Sequence, residues 1–152
     1  MKLQIENNQN KIKIDKRRIR STVLRILRIL NCADKEISLS FVDDEKIKKL
    51  NKQYLGKSKP TNIISFPLQE GEYSNINPDI MGDIVISTET AQRDALRGNL
   101  TLPQEIDFLI IHGILHLLGY NHENTTRKEI NKMRQKENDL FKALYGTDAC
   151  LI

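Results

Sequence analysis

The chain has no tryptophan, and phenylalanine and tyrosine together make up 5% of its 152 residues. A core of this composition is aliphatic, and a broad aromatic surface for stacking nucleic-acid bases is excluded. Cysteine is equally scarce. Cys32 and Cys150 stand far apart and match no C-x-x-C spacing. That excludes a disulfide framework and a cysteine-based zinc site, predicts no disulfide-linked partner, and fits a reducing cytoplasm. No apolar run is long enough to cross a membrane, and none follows the basic N-terminus as a signal peptide requires. No repeat or low-complexity linker divides the chain, so residues 1–152 are expected to form a single domain. With 39% hydrophobic and 29% charged residues and a net charge of +4, it reads as a soluble globular protein leaning modestly toward polyanions.

Histidine is rare too, yet all three histidines fall in one short string, HGILHLLGYNH, at His112, His116 and His122. Spacing of four puts His112 and His116 on one face of a helix. Gly119 stands where that helix must stop, and His122 lies just past the turn. This is a zinc-ligand pattern with a fourth corner left open, as in catalytic sites. The spacing equals that of metzincin peptidases, except that Gly113 replaces the glutamate serving them as general base. The geometry for a metal is kept while the peptidase base is missing. Gly113 costs a helix interior about 1 kcal/mol relative to alanine, which points either to tight packing or to close approach of a backbone or a substrate.

Periodicity supplies the scaffold. Alternation predicts strands at Leu3–Ile5, Ile37–Asp43, Asn62–Phe66 (stopped by Pro67) and Gly82–Ser87. Ile19, Val23, Ile26, Leu27 and Leu30 mark a helix whose other side carries Arg17, Arg18, Arg25 and Arg28, either a solvated face or an RNA-phosphate surface. Asp43 or Asp44 caps a second helix with Ile47, Leu50 and Tyr54 facing inward. Gly56–Asn62 is a loop, residues 68–80 are irregular, and Ser87 caps a helix ending near Gly98. From about Pro103 to Leu118 the helix is apolar almost all round, which predicts a buried central helix with its histidines away from the surface. A last helix starts near Thr126, in a capping-box pattern with Glu129, and buries Ile130, Met133, Leu140, Phe141 and Leu144.

Three stretches together resemble one known family. HGILHLLGYNH, KPTNIISFP (Lys59–Pro67) and MGDIVIS (Met81–Ser87), preceded by Leu50-Asn51, are similar in kind and order to the signatures of the YbeY endoribonucleases, also described as rRNA maturation factors. They cover roughly a third of the chain. The resemblance implies an α+β fold with a mixed, mainly four-stranded sheet beside the histidine helix and a metzincin-like metal site. It implies His112, His116 and His122 as ligands of one zinc ion per chain. The implied activity is single-strand-specific endoribonuclease action in small-subunit rRNA 3′ maturation and ribosome quality control, in the cytoplasm, with rRNA and ribosomal small-subunit proteins as partners. One position departs from the pattern. Leu55 follows Tyr54 where the family has an arginine implicated in catalysis, and an apolar side chain cannot clamp a phosphate. Lys57 and Lys59 in the same loop are candidates to supply that charge, as point charges rather than forks. Asn62, Ser65 and Asp83 are either contacts near the site or turn and cap residues. The competing readings are a zinc-dependent peptidase-like hydrolase, which Gly113 opposes, and a weakly catalytic ribosome-associated RNA-binding factor, which Leu55 favours.

Overall fold

Hydrophobic alternation and helical spacing place nine elements along the described chain. They are β1 (Leu3–Asn7), α1 (Lys16–Ile29), β2 (Glu36–Val42), α2 (Asp44–Leu55), β3 (Ile63–Pro67), β4 (Ile80–Ser87), α3 (Thr88–Arg97), α4 (Leu102–Leu117) and α5 (Arg127–Tyr145). The structure, a computed structural model, describes residues 3–68, 79–120 and 125–146. Most of the irregular 68–80 segment, His122 and Cys150 therefore lie outside the described residues. Among the described residues no helix is long and apolar enough to cross a membrane.

The four strands form one sheet in the order β1-β2-β4-β3. β1, β2 and β4 run parallel, and β3 pairs antiparallel with β4 at the edge, so the sheet is mixed and the class is α+β. Pro67 does not stop β3 but closes it, in register with Gly82, because an edge strand tolerates a residue with no N–H. Gly82 has φ of 146°, and a Cβ there would strike the carbonyl oxygen of Phe66. Only glycine lets the two strands approach at that point.

Register fixes two faces. Leu3 and Ile5 align with Ile37 and Leu39, Leu39 and Phe41 with Ile84 and Ile86, and Ile63 and Ser65 with Ile86 and Ile84. This face meets α1, α4 and α5 in the main core. The other carries Val42, Ile64 and Val85 under Ile47 and Leu50 of α2. Asp43 caps α2, its side chain accepting from the Lys46 N–H at 2.9 Å. Tyr54 does not face inward as its spacing suggests. It is 57% exposed and leans on Phe66, because it sits on the last turn of α2.

The arginines of α1 also differ from the simple outer-face reading. Arg17 and Arg28 are exposed. Arg18, however, makes a bidentate pair with Asp107 of α4 at 2.9 and 3.1 Å, and Arg25 donates to the Ala143 carbonyl of α5 at 2.7 Å. Long arginine stems carry the guanidinium past the apolar stripe to partners on neighbouring helices. Tyr145 Oη donates to the same Asp107 carboxylate, which is 1% exposed. Burial, and then the Asp107 charge, push the Tyr145 phenol up. Only Asp107 of this pair is fully buried, so removing Arg18 leaves a buried carboxylate short of a partner, at a cost of about 1–3 kcal/mol.

Glu105, in the first turns of α4, is also buried. Desolvation, helped by Asp94, pushes its carboxyl up to about 7. A folded pKa above the unfolded value gives a contribution that is full below about 4.5 and is lost as pH rises through about 7. Glu105→Gln is therefore expected to melt higher than the wild type above pH 8 and near it at pH 5. The gain at high pH is about 1–2 kcal/mol, the screened edge of the carboxyl reducing the full shift. Thermal melts of both proteins across this range check it, and a constant difference at every pH would refute it.

Candidate active site

The histidine helix is fixed at both ends by its own sequence. Thr101 and Gln104 form a reciprocal capping box, with Pro103 in the first turn. At the other end Gly119, with φ of 96°, follows the last turn. Its N–H donates to the His116 carbonyl and the Tyr120 N–H to the Leu115 carbonyl, both at 3.0 Å, the paired bonds of a Schellman stop. Lys132 of α5 then sits over the Tyr120 ring, 5.8 Å from its centre.

α4 is less enclosed than its composition suggests. Gln104, Phe108, His112 and His116, each four residues on from the last, are half-buried, while Ile106, Leu109, Ile110, Ile111, Ile114 and Leu115 are buried. The histidines thus lie on the one stripe of the helix left partly open to solvent, not in its sealed core. Their rings are 4.7 Å apart, edge to face. His112 Nδ1 lies 2.7 Å from Oε2 of Glu137 on α5, a carboxylate that is itself buried. That contact orients the His112 ring against the carboxylate. Two imidazoles on adjoining turns, one oriented by a carboxylate, are donors of the kind a zinc site uses.

Among the described residues no three His, Cys, Asp or Glu side chains converge as a metal-holding group. His112 and His116 are brought together, and His122 lies outside the described residues. Glu137 is the site residue that periodicity missed. Its signal was present in the sequence, because it falls between Met133 and Leu140 on the buried stripe of α5, where a carboxylate needs a partner.

Gly113 is explained by packing. A Cβ there would lie 2.9 Å from Cδ1 of both Ile63 and Ile84. Neither a backbone nor a substrate makes the close approach; side chains of β3 and β4 do.

The remaining candidates disperse. Leu55 ends α2, Lys57 and Lys59 lie between α2 and β3, and α2 packs on the sheet face opposite α4. The buried Asn51 ties this loop down: its carbonyl accepts from the Lys57 N–H at 3.2 Å and its amide donates to the Lys59 carbonyl at 2.9 Å. Ser65, by register with Ile84, points to the α4 side. Asn62 donates to Asp94 at 3.2 Å and accepts the Ser87 N–H at 2.9 Å, a junction between strand and helix. Asp83 faces away from α4, beside Gln4 and Ser38 in a cleft of about 250 Å³, and burial pushes its carboxyl up.

Comparison with known proteins adds a name to this arrangement. The family described as Endoribonuclease YbeY matches residues 4–145. The Endoribonuclease YbeY of Syntrophus aciditrophicus is 57% identical over 146 residues, 96% of this chain and 91% of its own length. That of Geobacter sulfurreducens is 40% identical over 144 residues, 95% of this chain and 96% of its own. The solution structure of a Thermotoga maritima protein superposes with a TM-score of 0.67 at 26% identity, covering 95% of this chain and 89% of the other.

Proposed function

The chain belongs to the YbeY endoribonuclease family, and from that membership we propose that it is a zinc-dependent endoribonuclease specific for single-stranded RNA. Its setting is small-subunit rRNA 3′ maturation and ribosome quality control in the cytoplasm, beside ribosomal small-subunit proteins. The observation that carries this reading is the 2.7 Å contact from His112 Nδ1 to Glu137, which orients that ring beside the ring of His116.

His112, His116 and His122 would hold the zinc ion, which when bound supplies Lewis acidity at a phosphodiester oxygen. Glu137, 2.7 Å from His112 Nδ1, fixes the plane of that ring. Gly113 offers no acid or base, which separates this site from peptidases of the same ligand spacing. Lys57 and Lys59 add positive charge along the path of the RNA backbone.

The purified protein is expected to contain zinc, to cut single-stranded RNA, to lose that activity to a chelator, and to leave casein intact. Cleavage of casein alone would overturn the reading in favour of a peptidase. Metal with neither activity would favour an RNA-binding factor.

Leu55 bears on the strength of catalysis. It is 55% exposed, so an arginine fits at the surface without repacking. Leu55→Arg is expected to raise kcat/KM on single-stranded RNA about 10-fold, the worth of one charge-assisted bond to phosphate. An unchanged or lower value would show that the loop lysines already meet that need.

A further inference from the structure

Among the described residues Tyr54 is the one aromatic ring on the exposed surface; Phe41 and Phe141 are buried and Phe66, Phe108, Tyr120 and Tyr145 are half-buried. It is held in place rather than loose. Its ring meets Phe66 at 5.2 Å and 74°, an edge contact that leaves at least one ring face open to solvent. Behind it, Gly56 ends α2 in the left-handed conformation, and Asn51 fastens the loop that follows.

Exposed lysines lie on the same helix and on the loop that follows it. Lys48, Lys49 and Lys52 on α2 and Lys57 and Lys59 in the loop are all exposed, and among the described residues none is in an ion pair. The acidic residues of α2 stand at its opposite end, where Asp44 is taken up by Ser87, Thr90 and Arg93. An open aromatic face with unneutralised lysines on the same helix and loop is the chemistry of single-strand recognition: stacking for a base, charge for its phosphates.

Position completes the argument. Phe66, which supports the ring, lies on edge strand β3, and its neighbour Ser65 points to the opposite face, toward the histidine helix. Tyr54 and the histidine pair thus flank one edge strand from its two sides.

We propose that Tyr54 is a stacking platform for one unpaired nucleobase of the RNA, with Lys57 and Lys59 of the adjoining loop meeting the neighbouring phosphates. The inference rests on the endoribonuclease reading and gives it a source of single-strand preference, since a base inside a duplex has no free face to offer.

The test is the affinity of the full chain, as purified, for a fluorescent 2′-O-methyl oligouridine and for an abasic oligomer with the same phosphates, read by anisotropy. The wild type is expected to bind the base-bearing oligomer about 5- to 100-fold more tightly. Tyr54→Leu, confirmed folded by its melting temperature, is expected to erase that gap, and Tyr54→Phe to keep it. A gap that survives in Tyr54→Leu overturns the platform and leaves the nuclease reading standing. Wild type that binds neither oligomer overturns both. A second measurement needs no variant: 2-aminopurine in the oligomer should be quenched by the wild type, and bound oligomer without quenching overturns the platform.

Discussion

His116→Ala is expected to lower single-stranded RNA cleavage by about 10²–10⁴-fold and to release zinc, while barely moving the melting temperature when both proteins are melted in chelator, where the stabilisation from bound metal is absent from both. The fold of this loss follows from the several kcal/mol of transition-state charge stabilisation that a site metal supplies. The small effect on stability follows from where the ring sits. His116 is on the half-open stripe of α4, whereas Ile110, Ile111, Ile114 and Leu115 carry the buried contacts, so truncation opens no sealed cavity. Alanine also suits a helix slightly better than histidine does. Zinc content, cleavage rate and melting temperature on one preparation decide the matter. Retained cleavage would remove His116 from the site, and a collapsed melting temperature would make it a packing residue instead.

Gly113→Glu is expected to cost about 3–5 kcal/mol of stability and to create no peptidase. By ligand spacing alone, this substitution restores the base that separates the chain from metzincins. The packing opposes it, since Ile63 and Ile84 must shift and a carboxylate be buried behind them. The first side-chain atom already meets Ile63 and Ile84 at 2.9 Å, and the carboxylate behind it would press into the seam between α4 and the sheet. The gain of about 1 kcal/mol in helix propensity over glycine does not offset that. Denaturant titration should show the loss and a casein assay should stay blank. A variant as stable as the wild type, or one that cuts casein, would mean that position 113 faces the reaction after all.

Much of this was legible in the sequence because local rules and global fold agree. Alternation marked β1 and β2, short apolar runs between turn residues marked β3 and β4, and Asp43, Ser87, Thr126 and Gly119 marked helix ends through side-chain and backbone chemistry that acts within a few residues. What failed was exposure and partnership, which depend on neighbours far along the chain. Tyr54 has the spacing of a core residue, but it sits on the last turn of α2 and stays largely exposed while leaning on Phe66. Arg18 and Arg25 look like a solvated face until α4 and α5 bring Asp107 and the Ala143 carbonyl to them. The helix apolar on every side turned out to have an open stripe, because which quarter of a helix stays uncovered is decided by packing. Glu137 was readable only as a misplaced charge on an apolar stripe, and its partner needed the third dimension.

The knot at Asp107 also sets when the histidine helix can settle. Its carboxylate draws on Arg18, 89 positions earlier, and on Tyr145, 38 positions later. Neither tie is local, and both close large loops before they reward the chain. During synthesis α4 can coil as soon as it emerges, yet it cannot be locked to α1 and α5 together until the last helix has formed. Assembly of the histidine pair with Glu137 needs that same helix, so a chain stalled before α5 carries its histidines without the carboxylate that orients His112.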